Sequence, residues 1–160
     1  MQFHILLGGN LGNRKENLNQ AKKHIQKIIG SIVSESSIYE TKAWGVEDQP
    51  NFLNQVILVE TTLSPQTVLS ENLQIEKVLG RVRHQKWHER TIDIDILYAE
   101  DLILNEDNLK IPHPFIQERK FTLVPLVEIS PNFVHPIFQK TQAILNHECL
   151  DNLPVTVFQE

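Results

Sequence analysis

The sequence contains a single cysteine, Cys149, so it can form neither an internal disulfide nor a cysteine-based metal cluster. It has no apolar run near the roughly 20 residues that a membrane-spanning helix requires, and the short apolar run after Met1 is typical of a first strand rather than of a signal peptide. The formal net charge of −5 argues against general nucleic-acid binding. We therefore expect a cytoplasmic protein with neither nucleic acid nor membrane as a partner. We also expect a monomer, although these features do not give the oligomeric state.

Several common catalytic motifs are also missing. The glycine-rich turn Gly8–Asn13 lacks the Gly-Lys-Ser/Thr ending of a phosphate-cradling loop. There is no Gly-x-Ser-x-Gly motif, and Cys149 has no local partners that would activate it as a nucleophile. His84 and His88 have the helical zinc spacing, but no third ligand stands nearby. The chemistry must come from other side chains.

The hydrophobic pattern predicts one α+β domain spanning residues 1–160. The order strand, helix, strand, strand, helix, strand is that of a ferredoxin-like antiparallel sheet, and added C-terminal helices would complete a three-layer α-β-α sandwich, with helices on both faces. The predicted strands are Phe3–Gly8, Ile32–Tyr39, Phe52–Thr61, Thr91–Tyr98 and Leu102–Leu104. The predicted helices are Lys15–Ile29, Pro65–Leu79, Arg119–Ile129 and Thr141–Cys149.

Two helices show an apolar face at helical spacing. The first face consists of Leu18, Ala21, Ile25 and Ile28. The second consists of Leu69, Leu73 and, unexpectedly, Glu76. This carboxylate either lies at the edge of the apolar face or points into a polar site, because unpaired charges are rarely buried.

An Asp-x-Asp pair stands out on the fourth strand. Asp93 and Asp95 would point to one face while Ile92, Ile94 and Ile96 point to the other. Aspartate is depleted in strands, and hard oxygen ligands suit Mg²⁺, which usually accompanies phosphates. The simpler alternative, a solvent-exposed face of an antiparallel strand, stays open.

The residues around this pair suggest a phosphate and a flat ring. Three arginines upstream could bind phosphate oxygens bidentately, namely Arg81, Arg83 and Arg90. Four aromatic residues near the loops, with the amide of Asn54, would suit a heteroaromatic ring: Trp44, Phe52, Trp87 and Phe121. His113, between two prolines, could bind phosphate or serve as a turn residue.

Four motifs in order make the chain similar to the 6-hydroxymethyl-7,8-dihydropterin pyrophosphokinases, a family of folate biosynthesis. They are Asp48–Asn54, Leu79–Arg83, Arg90–Leu97 and Ile111–Pro114. The resemblance implies transfer of pyrophosphate from ATP to the hydroxymethyl group of the pterin, with release of AMP. The substrate hydroxyl would attack the β-phosphorus.

The resemblance also implies roles for single residues. Asp93 and Asp95 would hold two Mg²⁺ ions across the ATP phosphates, and Arg81 and Arg90 would complete the catalytic set. The implied pterin-binding residues are Thr41, Ala43, Trp44, Phe52, Asn54, Trp87 and Phe121. The implied nucleotide-binding residues are Glu76, Arg83, Thr91, Ile96, His113 and Arg119.

The sequence departs from the family pattern at three places. The usual Trp-Gly-Pro-Arg is here Trp87–Arg90, with a glutamate at position 89 where polyphosphate would approach. A proline-rich segment after Thr41 is replaced by Lys42-Ala43-Trp44, and a basic residue before His113 is missing. These departures concern loop closure and rate more than the reaction.

Overall fold

The computed structural model describes residues 1–42, 49–80 and 91–160. Its strands are β1 Gln2–Gly9, β2 Ser31–Glu35, β3 Tyr39–Thr41, β4 Phe52–Glu60, β5 Asp93–Ala99, β6 Leu104–Asn105, β7 Lys110–Ile111 and β8 Thr156–Val157. Its α-helices are α1 Arg14–Ile28, α2 Pro65–Val78, α3 Lys120–Ile129 and α4 Gln142–Glu148. A 3₁₀ turn, Ile116–Glu118, precedes α3.

The main sheet is antiparallel, in the order β5-β1-β4-β3-β8, and β2 also pairs with β4. This order matches the predicted ferredoxin-like pattern. The predicted strand Ile32–Tyr39 is wrong as a single element, because the chain leaves the β4 ladder after Glu35 and rejoins it at Tyr39. Thr41, an implied pterin-binding residue, is the last residue of strand β3. The strand predicted at Leu102–Leu104 forms instead at Leu104–Asn105, opposite β7.

The sheet separates two hydrophobic cores, which makes three layers. Helices α1 and α2 cover one face, where the first core includes the buried residues Ile5, Leu7 and Ile94. Helices α3 and α4 cover the other face, where the second core includes the buried residues Leu6, Val56 and Tyr98. Adjacent residues of β1 alternate between the cores, as strand geometry requires. The predicted α-β-α sandwich is confirmed.

The helix boundaries have local causes. Asn13 accepts a hydrogen bond from the Glu16 amide at the start of α1, and Ser64 accepts one from the Thr67 amide at the start of α2. Gly80 ends α2 with φ of +88°, a value that favours glycine. Gly30, which follows α1, is glycine for lack of space rather than for its φ angle, because a Cβ there would lie 2.1 Å from the carbonyl oxygen of Glu60.

Each predicted apolar helix face is confirmed in part: Leu18, Ala21 and Ile25 of α1 and Glu76 of α2 are buried, and one residue of each face is exposed. In α1, Ile28 is exposed and Ile29 is buried in its place. In α2, Leu73 is exposed and the buried residues are Val68, Asn72, Ile75 and Glu76. Since α2 packs against both α1 and β5, its buried face is set by two contacts that the helical period alone does not specify. Within the described residues, no helix is long and apolar enough to cross a membrane.

A buried histidine, His4, packs against aromatic residues of the second core. His4 is 4% exposed, its Nε2 is 2.8 Å from Ser130 Oγ, and its Nδ1 has no hydrogen-bond partner among the described residues. Its ring packs against Tyr98 and Phe133. Burial lowers the pKa of His4 from 6.5 to about 4, because the cationic form loses its hydration. The pKa of His135 is lowered in the same direction by the same cause.

We expect acid to destabilise the fold through His4. Between pH 6.5 and 4 the unfolded chain binds a proton that the folded chain does not, so the free energy of unfolding falls as pH falls through this window. From pH 7 to pH 5 the loss from His4 is about 2 kcal/mol. Urea unfolding at both pH values should show it, and His4→Gln should remove about that much of the pH dependence. The exposed His147→Asn is the control. Equal pH dependence in His4→Gln and wild type would contradict this account.

Candidate active site

A cleft opens where one end of the sheet meets the start of α3. The described residues that line it come from five segments: Leu6, Gly8, Thr41, Lys42, Gln49, Phe52, Asn54, Asp93, Asp95, Arg119 and Phe121. The acid pair, the amide and two of the aromatic residues singled out in the sequence thus meet in one place. They are far apart in the chain, and the sheet order brings them together.

The acid pair occupies the edge strand as the alternation predicts. Asp93 lies opposite Gly8 of β1, and Asp95 lies opposite Leu6. Both aspartates are partly exposed, whereas Ile94 between them is buried in the first core. Directly paired residues share a face of the sheet, so both carboxylates lie on the cleft side.

The amide of Asn54 is held at the centre of the cleft floor. Asn54 lies opposite Gly8 on one side and Tyr39 on the other. Its side chain is 4% exposed and its Nδ2 donates to Thr41 Oγ1 at 3.3 Å. Gly8 gives its Oδ1 room, because a Cβ at position 8 would lie 2.7 Å from that oxygen. Glycine at this position therefore preserves the Asn54 side-chain position.

We expect Gly8→Ala to weaken ligand binding more than folding. The added methyl group must displace the Asn54 side chain, which breaks its bond to Thr41 and moves a recognition group. We expect the affinity for a ring bound at Asn54 to fall about tenfold, the loss of roughly one hydrogen bond. Calorimetry with the pterin that the family resemblance implies measures the affinity, and urea unfolding measures the free energy of unfolding, so the two effects can be separated. Parent affinity in Gly8→Ala would show that the amide tolerates the methyl group.

Aromatic residues stand on two walls of the cleft. Phe52 opens β4 opposite Thr41, and Phe121 lies in the first turn of α3. The Arg119 guanidinium is 5.6 Å from the Phe121 ring centroid and 5.0 Å from that of Phe115. These contacts place a cation beside the ring that the aromatic pair would hold.

The C-terminal end of helix α3 is hydrogen-bonded to the sheet through Glu128. Glu128 accepts hydrogen bonds from the Tyr39 hydroxyl at 2.6 Å, from the Ser37 hydroxyl and from the Ser37 amide. Burial alone would raise the pKa of Glu128, but these hydrogen bonds lower it on balance. The carboxylate therefore links α3 to the strand that carries Thr41.

Glu76 is buried, which excludes the sequence alternative of a position at the edge of the apolar face. It is 2% exposed, and its Oε2 accepts a hydrogen bond from the Ile94 amide at 2.8 Å. Because β5 is an edge strand, this bond satisfies a backbone donor between the two aspartates. Glu76 reaches the strand from the α2 side, opposite the cleft.

His113 makes the turn contact of its two sequence interpretations, and its role toward phosphate stays a prediction. Its Nδ1 accepts a hydrogen bond from the Phe115 amide at 3.1 Å. Burial and the charge of Arg119 lower its pKa from 6.5 to about 4. The ring is therefore neutral near pH 7, with its proton on Nε2. Its Nε2 is thus a hydrogen-bond donor, so a role toward phosphate is compatible with this geometry.

The remaining sequence assignments divide into two groups. Glu76, Thr91, Ile96 and His113 are not among the described residues that line the cleft. Ile96 is 5% exposed and packs in the first core. The assignments at Ala43, Trp44, Arg81, Arg83, Trp87 and Arg90 lie outside the described residues, and so do His84 and His88.

Sequence reasoning missed four residues at or near the site. Lys42 and Gln49 line the cleft. Asn10, which is 1% exposed, donates through Nδ2 to the Pro50 carbonyl oxygen at 3.1 Å and to Gln49 Oε1. Arg14 donates to Glu40 and to the Asn51 carbonyl oxygen. The polar residues of the Gly8–Asn13 turn were a usable signal, but nothing local indicated their partners.

Comparison with known proteins identifies the family. A sequence model of 7,8-dihydro-6-hydroxymethylpterin-pyrophosphokinase (HPPK) matches residues 4–131. The chain is 43% identical over 134 residues to 2-amino-4-hydroxy-6-hydroxymethyldihydropteridine pyrophosphokinase of Aquifex aeolicus, covering 84% of this chain and 83% of that protein. The Haemophilus influenzae protein of the same name is 42% identical, with 83% and 84% covered.

A solved structure shares the fold. The Plasmodium falciparum HPPK-DHPS chain, solved with pteroate, superposes with a TM-score of 0.76 at 17% identity, over 92% of this chain and 42% of that one. This chain thus spans less than half of that longer protein. The family match over most of the chain and the relatives above 40% identity decide the assignment. The chain belongs to the 7,8-dihydro-6-hydroxymethylpterin-pyrophosphokinase family.

Proposed function

We propose that the cleft catalyses transfer of pyrophosphate from ATP to the hydroxymethyl group of 6-hydroxymethyl-7,8-dihydropterin, releasing AMP, a step of folate biosynthesis. Family membership supports the reaction and its two substrates. The observation that carries the assignment to this cleft is the meeting of two carboxylates with a buried amide and two aromatic rings. A hard-cation and phosphate site beside a flat-ring site is what a reaction joining these substrates needs.

The pterin side of the cleft would consist of Asn54, Thr41, Phe52 and Phe121. An amide both donates and accepts, so Asn54 can pair with the alternating donors and acceptors of a pterin edge. The two phenylalanines would stack on the faces of the ring. Residues Ala43, Trp44 and Trp87 remain predicted members of this side, from the family resemblance alone.

The acid pair fits magnesium. Two carboxylates on one strand face offer hard oxygen ligands, and Mg²⁺ in phosphate sites commonly takes one or two protein carboxylates and completes its shell with phosphate and water. Within the described residues, no three His, Cys, Asp or Glu side chains group closely enough to hold a metal ion. When bound, two Mg²⁺ ions would neutralise phosphate charge and align the attacking and leaving oxygens.

The protein groups would act mainly by position and charge. The hydroxyl of the pterin substituent would be the nucleophile: it forms a new O–P bond at the β-phosphorus and loses its proton to solvent, while the bond from the β-phosphorus to the α,β-bridging oxygen breaks and AMP leaves. No protein nucleophile is needed. Arg119, beside Phe121, would place a positive charge near the transferred group. A neutral His113 would donate from Nε2 to a phosphate oxygen. Arg81, Arg83 and Arg90 are proposed phosphate contacts by resemblance, and Glu76 would hold the strand between the aspartates.

The reaction is tested by AMP release from ATP, Mg²⁺ and 6-hydroxymethyl-7,8-dihydropterin, with omission of the pterin as control. We expect AMP only when both substrates and Mg²⁺ are present. Pterin binding without AMP would mean that the chain is a binding protein in which the altered Trp87–Arg90 segment has removed turnover. Absence of both binding and turnover would reject the site. A monomeric state and a cytoplasmic location stay predictions; gel filtration and fractionation test them.

A further inference from the structure

Arg14 connects two strand ends beside the cleft. It is the first residue of α1, and its Nη1 donates to Glu40 Oε2 at 2.7 Å and to the Asn51 carbonyl oxygen at 2.9 Å. Glu40 lies in β3 and Asn51 immediately precedes β4. The guanidinium therefore bridges the points where the segment between these strands leaves and rejoins the sheet.

The two anchored residues are direct neighbours of the pterin-side residues. Glu40 precedes Thr41, and Asn51 precedes Phe52. Thr41 and Phe52 are paired across β3 and β4, and both line the cleft. Because side chains alternate along a strand, Glu40 meets Arg14 on the α1 side while Thr41 faces the cleft. A shift of either strand end would move Thr41 and Phe52 relative to Asn54.

The environment of Arg14 favours a fixed position. Its side chain is 24% exposed and that of Glu40 is 29% exposed, so the ion pair is partly shielded from solvent. The guanidinium also lies 5.5 Å from the ring centroid of Phe158. A charge-assisted hydrogen bond to a carboxylate is roughly twice as strong as a neutral one. Asn10 anchors the same segment one position earlier, at Pro50.

We propose that Arg14 is a positioning residue for the pterin side of the cleft, acting through Glu40 and the Asn51 carbonyl group. This inference rests on the proposed function, because it assigns the ring held by Thr41 and Phe52 as a pterin. Arg14 touches neither substrate in this account. It acts selectively on pterin affinity, since β1 and β4 separate β3 from β5, the strand that carries the acid pair.

The test compares Arg14→Gln with Lys15→Gln, its neighbour in α1, whose partner is Glu160. Calorimetry measures binding of 6-hydroxymethyl-7,8-dihydropterin and, separately, of Mg²⁺-ATP. We expect Arg14→Gln to weaken pterin binding about five- to tenfold, because Thr41 and Phe52 would then have to be ordered on binding, at a cost of roughly 1 kcal/mol. ATP binding should stay within about twofold, and kcat should change less than KM for pterin. Lys15→Gln should match wild type in pterin affinity, Mg²⁺-ATP affinity, kcat and KM for pterin.

Two further variants separate positioning from general stability. Arg14→Lys keeps the charge but cannot span both acceptors in the same way, so we expect an intermediate pterin affinity. Glu40→Gln combined with Arg14→Gln should weaken binding less than the sum of the single effects, because both remove one contact.

The outcomes distinguish the inference from the proposed function. Wild type that neither binds pterin nor releases AMP would reject the proposed function and the inference with it. Wild type that binds pterin while Arg14→Gln binds equally well would overturn the inference alone. Equal losses for pterin and ATP, or strictly additive effects of Arg14→Gln and Glu40→Gln, would also overturn it, since they indicate a structural role.

Discussion

Asp95→Ala is expected to reduce pterin-dependent AMP release by about 10³-fold or more, the rate equivalent of losing several kcal/mol of charge stabilisation. The carboxylate lies on the cleft face of β5, opposite Leu6, where it would hold Mg²⁺ against the phosphates. The substitution adds a small apolar side chain at a partly exposed position, so the fold should remain. AMP release and urea unfolding, measured on the same preparation, check both statements.

The matched control is Asp101→Ala, an exposed aspartate just beyond the same strand. It should retain wild-type turnover and stability. Asp93→Ala should resemble Asp95→Ala, because both carboxylates share one face. Turnover near the parent rate in either cleft variant would contradict the metal assignment and return the pair to the sequence alternative of a solvated strand face.

Asn54→Ala is expected to weaken pterin binding by about 10- to 100-fold and to leave Mg²⁺-ATP binding within about twofold. A ring edge that loses an amide partner leaves its own polar groups unpaired in a closed site, which costs roughly 1–3 kcal/mol. The amide is 4% exposed and already ordered by Thr41, so it is preorganised for recognition. Calorimetry with each substrate alone gives both affinities.

Asn51→Ala is the control for this change. Asn51 is exposed, and its contact with Arg14 uses the backbone carbonyl oxygen, which the substitution keeps. It should bind both substrates as wild type does. Equal losses for pterin and ATP in Asn54→Ala, accompanied by a lower free energy of unfolding, would show that the amide supports the sheet rather than the ligand.

Local sequence patterns were enough to predict the layers and most of the elements. Alternation predicted that the two aspartates share one side of β5, and α1 and α2 begin within one residue of their predicted starts. These features depend on neighbours a few residues apart, which a linear sequence displays directly. The helix faces were predicted less well. Leu73 has the right spacing but is exposed, because α2 packs against two elements whose positions the period does not encode.

The candidate site divides in the same way. Residue type and spacing pointed to Asp93, Asp95 and Asn54, since an acid pair or amide in a strand is unusual in itself. The anchoring roles of Asn10, Arg14 and Glu76 were not predictable from spacing, because their partners are distant in the sequence. Asn10 contacts residues 39 and 40 positions away, Arg14 contacts residues 26 and 37 positions away, and Glu76 contacts a residue 18 positions away. Such contacts exist only after the strands are in order.

The sequence by itself determined which side chains this protein has available: an acid pair, arginines, an amide, aromatic rings and no recognised motif for a protein nucleophile. Tertiary structure decided which of these groups act together. Antiparallel pairing places Gly8 between Asp93 and Asn54, so one glycine lies between the acid pair and the ring site. The physical reason is that the type of a side chain is a local property of the sequence, whereas a site requires several side chains to lie close together. Strand pairing and the burial of both faces of the sheet decide which side chains do so.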